Sequence, residues 1–128
     1  DEACEIIILD SPPGASCSVV ASIFNTDYAL LVTEPTPFGL HDLKQMVGVL
    51  SILDMPGGVI INRDGIGNKE VEAFLAKTPY PILMRIPFQE TIALGLAKGK
   101  VLVEFLPNYR EKFSVLYETI LNTIENEG

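Results

Sequence analysis

The chain has 128 residues, 48% hydrophobic and 20% charged, which suits one domain with one core and excludes a disordered, collagen-like or disulfide-scaffold chain. Seventeen acidic residues against nine basic give a net charge of -8, so the overall field repels phosphate backbones and anionic headgroups and disfavours nucleic acid and membrane surfaces as partners. No apolar run reaches the roughly 18 residues of a membrane span, and the acidic start Asp1-Glu2-Ala3-Cys4 lacks the features of a signal peptide, which points to a cytoplasmic protein.

The first residue is Asp, not Met, and an apolar run begins within four residues, so a fragment of a longer protein is expected. That run, Glu5 to Leu9, is continuous and rich in β-branched residues, and Asp10 and the turn-forming Ser11-Pro12-Pro13-Gly14 end it. It predicts a short strand buried on both faces. Ser16 or Ser18 can open a helix through Val19, Val20 and Ile23. Tyr28 to Thr33, Gly58 to Asn62 and Pro81 to Ile86 repeat the continuous apolar pattern, which belongs to parallel sheets covered by helices on both sides. Between them Leu40, Leu43, Val47, Leu50 and Leu53 form a helical stripe, with Thr36 as N-cap and Pro37 at the first helical position. Asn68 can cap a helix carrying Val71, Phe74 and Leu75. A small helix around Thr91 to Lys98 and a long one from about Asn108 close the chain, the latter with Phe113, Leu116, Tyr117, Ile120, Leu121 and Ile124 on one face. The order predicts a single domain over 1–128, α/β, three-layered and doubly wound on a mainly parallel sheet.

Ligands of such sheets bind beyond the carboxyl ends of the strands. Asp10 comes directly after the first run, and Gly14 lies four residues later. A carboxylate there can hold a water of Mg²⁺, and a glycine N–H can approach a γ-phosphate closely. An Asp at that place is also an ordinary turn former or helix cap.

DSPPGASC (10–17), LLVTEPTPFGLHDL (30–43), VIINR (59–63) and PILMRIPF (81–88), at these separations, resemble the carboxy-terminal half of the MinD superfamily of P-loop ATPases. The branch with Mrp-type iron–sulfur carriers and ferredoxin-domain-containing members is the most similar, and the resemblance spans essentially the whole chain. It implies a partial P-loop NTPase fold. By the same resemblance Asp10 is the Walker B aspartate near Mg²⁺ and Gly14 the switch II glycine, the two forming the catalytic pair. Asn62 reads the adenine edge, an acceptor and donor pair that fits N6/N7. Arg63 and the backbone around Pro87 and Phe88 line the base pocket, and Glu34 and Pro35 lie near nucleotide and partner subunit. ATP and Mg²⁺ are the implied cofactors. An iron–sulfur cluster in the intact parent, a homodimer and an iron–sulfur client protein are implied as well. Many relatives carry Asp where this chain has Gln89, which weakens any contact assigned there.

The Gly-rich loop with two lysines is absent, and the fold so resembled places its strand between Glu5–Leu9 and Tyr28–Thr33. Gly95-Leu96-Ala97-Lys98-Gly99-Lys100 has the wrong spacing for a P-loop and comes after a helix. The chain alone is therefore expected to be inactive. The alternative is a degenerate, non-hydrolysing α/β module for oligomerisation or regulation. A flavodoxin-like or receiver-like domain fits less well, since no acidic cluster gathers at the first strand. Cys17 reads as a small packing residue, His41 as a solvated position, and two cysteines cannot supply the four thiolates of a cluster from one chain.

Overall fold

The computed structural model of the chain describes residues 5–127. Helix α1 (Cys17–Phe24) leads into strand β1 (Ala29–Thr33), helix α2 (Pro37–Ile52), strand β2 (Gly57–Asp64), helix α3 (Glu70–Leu75) and strand β3 (Ile82–Pro87). Helices α4 (Glu90–Ala97), α5 (Leu102–Phe105) and α6 (Asn108–Glu127) complete the order. The three strands pair in the order β1-β2-β3, both pairs parallel. Successive β2 side chains separate the two faces, because neighbouring residues of a strand point to opposite sides. Val59 and Ile61 pack with Leu43, Val47 and Leu50 of α2 and Val71 and Leu75 of α3. Ile60 turns the other way and joins Met84 of β3 and Leu116 of α6. The chain is thus α/β, a three-stranded parallel sheet with helices on both faces. Leu50, fully buried, contributes about 1.5–3 kcal/mol by leaving water.

Local signals place two of the helix starts. Thr36 caps α2 by accepting from the Gly39 N–H at 3.0 Å, with Pro37 at the first helical position. Asn68 serves α3 from one residue outside its N-cap, its side-chain oxygen accepting from the Glu70 N–H at 3.0 Å.

Three expectations are corrected, and one short helix is added. Glu5–Leu9 does not join the sheet: no strand forms there among the described residues, and Ile6, Ile7, Ile8 and Leu9 are exposed by 44, 67, 88 and 55%. A strand forms only where a neighbour answers its N–H and C=O groups, and β1 is separated from this segment by a groove of about 640 Å³. Tyr117 is exposed, since the α6 side chains that pack with Ile60 and Met84 are Phe113, Leu116 and Ile120. The short α5 carries no pattern in the sequence. Cys17, expected to pack, is exposed; Cys4 lies outside the described residues.

Glu72 of α3 accepts from Arg85 of β3 at 2.7 Å, and Arg85 also meets Asp64 at 3.5 Å. The hydrogen bond from Arg85 holds the Glu72 carboxyl below its usual value, and the same bond raises Arg85. A depressed carboxylate contributes stability above its unfolded pKa and loses it as pH falls through the folded one. Glu72→Gln should therefore lower Tm slightly at pH 7, and the difference from wild type should vanish at a pH acidic enough to protonate Glu72 in the folded chain. Thermal melts of both proteins at the two pH values test this.

Candidate functional site

The loops beyond β1, β2 and β3 meet at one edge of the sheet. Behind β1, Glu34-Pro35-Thr36 turns sharply, with the Thr36 N–H on the Glu34 carbonyl at 2.8 Å. Pro35 is buried, and a Cβ added at Gly67 would collide with its carbonyl oxygen. Only glycine allows the loop after β2 to sit that close to the loop after β1.

β2 carries an irregularity at its carboxyl end. Ile61 pairs with Arg85 and Asp64 with Pro87, so three steps of β2 match two of β3. The extra residue is a bulge that re-aims Asn62 and Arg63. Arg63 has φ of 53°, a left-handed backbone that is uncommon for a residue with a Cβ. Its guanidinium reaches the segments just after both flanking strands: Nη1 lies 3.3 Å from Glu34 Oε2, and Cζ lies 5.1 Å from the centre of the Phe88 ring. The Phe88 N–H donates to the Asp64 carbonyl at 2.9 Å, which fixes the ring beside β2.

The groove beside β1 gathers a second set. Asp10, Gly14, Glu34 and Asn62 all line it, with Val19 of α1 and Leu43 of α2 among its apolar walls. Gly14 has φ of 94°, a conformation in which glycine is at no disadvantage. Asp10 is exposed. The residues singled out in the sequence thus fall into two groups that share Glu34. Asp10 and Gly14 line the groove with Glu34 and Asn62, while Arg63 meets Glu34 on one side and Phe88 on the other; Pro35 and Pro87 line no part of the groove.

Sequence reasoning missed the Phe88 ring as a contact, the left-handed Arg63 and the Gly67–Pro35 approach. Asp64-Gly65 signals a turn, but nothing in the sequence moves its start back to Arg63. Gly95 is buried in α4 against Phe105, and the Gly99 N–H donates to the Leu96 carbonyl at 3.0 Å in the turn that ends α4, so 95–100 is a helix end. Gln89 is the N-cap of α4 and makes no side-chain cap bond. His41 is exposed on α2. Among the described residues no three His, Cys, Asp or Glu gather as metal ligands, and no helix is long and apolar enough to cross a membrane.

No family model matches the chain, and no solved structure matches it. Two proteins of Methanocaldococcus jannaschii are similar to it. Over 113 residues it is 34% identical to "Uncharacterized protein MJ0579", covering 87% of this chain and 39% of that protein. Over 116 residues it is 25% identical to "Uncharacterized protein MJ0578", covering 91% of this chain and 40% of that protein. The chain thus spans about two-fifths of the length of the curated relatives it matches.

Proposed function

We propose that these 128 residues are the base-reading and switch II half of a MinD-like P-loop ATPase, the parent, whose other half supplies the Gly-rich loop. One observation carries the reading: Asp10 and Gly14 of the segment before α1, Glu34 of the loop after β1 and Asn62 of β2 open onto one groove that runs along β1. The sheet edge adds support. β1 has β2 on one side only, and the apolar Ile6–Leu9 is exposed with the groove beyond it; a strand between them would give both a partner. The greater length of the relatives leaves room for that half.

In this reading Asp10 orients a water of Mg²⁺, a role that needs a single carboxylate because Mg²⁺ bound with phosphates keeps several waters. Mg²⁺ supplies neutralisation of phosphate charge. The Gly14 backbone approaches the γ-phosphate. Asn62 reads the adenine edge, and the Arg63–Phe88 pair offers a flat face on which a base can stack. Attack by water proceeds in line, with catalysis by positioning and charge neutralisation. The Glu34-Pro35 loop lies near nucleotide and the second copy of a homodimer. A link to iron–sulfur carriage or maturation in the cytoplasm belongs to the parent and its client, because two cysteines do not make a four-thiolate site and Cys17 is exposed and free.

Asn62→Ala in the parent should weaken adenine nucleotides by about 1–3 kcal/mol, the worth of a bidentate base contact. Calorimetry with ATP measures it, and unchanged affinity would remove Asn62 from the site. The other reading, a non-hydrolysing module that associates through its sheet edge, is favoured by the exposure of Ile6–Leu9. A Gly-rich loop with two lysines upstream of Asp1 in the intact gene decides between them.

A further inference from the structure

Two apolar runs face one groove. Leu9, at the end of Ile6–Leu9, and residues 28–33, which include β1, are among its lining. Neither run has a strand paired on the groove side among the described residues. Ile6, Ile7, Ile8 and Leu9 are exposed, and so are Leu30 and Val32 of β1. Lysine and proline are common guards against edge pairing, and neither run contains one. The groove therefore suits an uncharged strand. Among the described residues, Ile6–Leu9 is itself an apolar, β-branched run that no ladder uses, so a second copy of the chain brings a strand that fits.

The number of open edges favours exchange between copies over closure within one. If the run closed onto its own β1, its other edge would stay unpaired. If two copies exchange, each run lies between the β1 and the run of the other copy, and no edge on the groove side stays open. A two-fold axis between the two runs makes both exchanges identical and closes the assembly at two chains. Each run also remains beside its own groove, so neither chain has to refold.

We propose that the 128-residue chain forms a closed two-fold dimer in which Ile6–Leu9 of each copy enters the other's groove and adds to β1. The joined sheet then runs β3-β2-β1 of one copy, the run of the second copy, the run of the first, and β1-β2-β3 of the second. This pairing does not rest on the nucleotide reading; the strand assigned there to the other half of the parent competes for the same groove. Charge opposes the pairing. Asp10, Glu34 and Asp42 line the groove and no Lys or Arg does, and each incoming run is flanked by Glu5 and Asp10. Salt screens such repulsion, so the dimer should tighten as salt is raised.

Light scattering on the unmodified chain should rise with concentration to a plateau at twice the chain mass. A mass that stays at one chain, or grows past two, overturns the proposal. The pairing is read with Ile7→Cys and Val32→Cys chains, each also carrying Cys4→Ser and Cys17→Ser, treated with a short bifunctional maleimide. An equimolar mixture should give the mixed Ile7–Val32 dimer, because residues on adjacent strands lie within roughly 8 Å. Val32→Cys alone should stay unlinked, since the two copies of that position stand three strand spacings apart, about 14 Å. Linkage of Val32→Cys alone as strong as in the mixture would place β1 against β1 and overturn the proposal. The double variant, Ile7→Cys with Val32→Cys, should link between chains; a link within one chain would mean closure inside the copy and overturn it too. No nucleotide enters the experiment, so its failure leaves the base-reading and switch II assignment untouched.

Discussion

Asp10→Asn keeps the shape of the side chain and removes its charge, and in the parent it should lower ATP hydrolysis by roughly a hundredfold to a thousandfold, the usual effect of deleting one electrostatic partner of a transition state. The fold should survive. Asp10 is exposed, and α1 begins only at Cys17 with Ser16 as its N-cap, so Asp10 lies too far ahead to cap that helix. The position faces the groove with Gly14 and Glu34, where its charge can act on a ligand and not on the core. Circular dichroism and a steady-state ATPase assay on the same preparation separate the two effects. Wild-type turnover in the variant would leave Asp10 as a turn former.

The sheet was legible because Val59-Ile60-Ile61 and its counterparts in β1 and β3 are apolar on both faces, and only a strand between two helical layers buries such a run. The same signal in Ile6–Leu9 misled, and the reason is physical. A continuous apolar run records what a segment would bury if paired; it carries nothing about whether the neighbouring strand is present. β1 ends the sheet, so the run has no ladder to join. Tyr117 shows the smaller form of the same problem. Its spacing puts it on the expected apolar face of α6, but the residues that pack with Ile60 and Met84 are Phe113, Leu116 and Ile120.

At the candidate site, position after a strand was the readable feature. Asp10, Glu34 and Asn62 each stand at or just beyond the carboxyl end of an apolar run, and the groove brings them together. Arg63 was legible as a nearby residue but not as a bridge. Its reach to both Glu34 and Phe88 depends on the bulge between Ile61 and Asp64 and on a positive φ, and neither has a composition of its own. Gly67 likewise reads as one more loop glycine until Pro35 is placed against it.

Those exposed edges set the behaviour of the isolated chain. Ile8 and Val32 are exposed by 88% and 63%, on a segment and an edge strand with no strand paired on the groove side among the described residues. Unpaired apolar edges recruit other chains, so the 128-residue protein should associate with itself, its mass by light scattering rising with concentration. Placing a charge on either edge blocks that route, and Ile8→Lys or Val32→Lys should each return it toward monomer. Adding the half that carries the Gly-rich loop should do the same by filling the groove, and should bring hydrolysis with it. Alone, the chain should bind ATP weakly and turn over none. In the proposed reading Asp10 and Asn62 would address opposite ends of a nucleotide, with no Gly-rich loop among the described residues to hold its centre. Light scattering and an ATPase assay on one sample decide both parts. A monomer at every concentration that hydrolyses ATP would mean that the phosphate site is complete within these residues, and that the groove beside β1 holds the nucleotide instead of a strand.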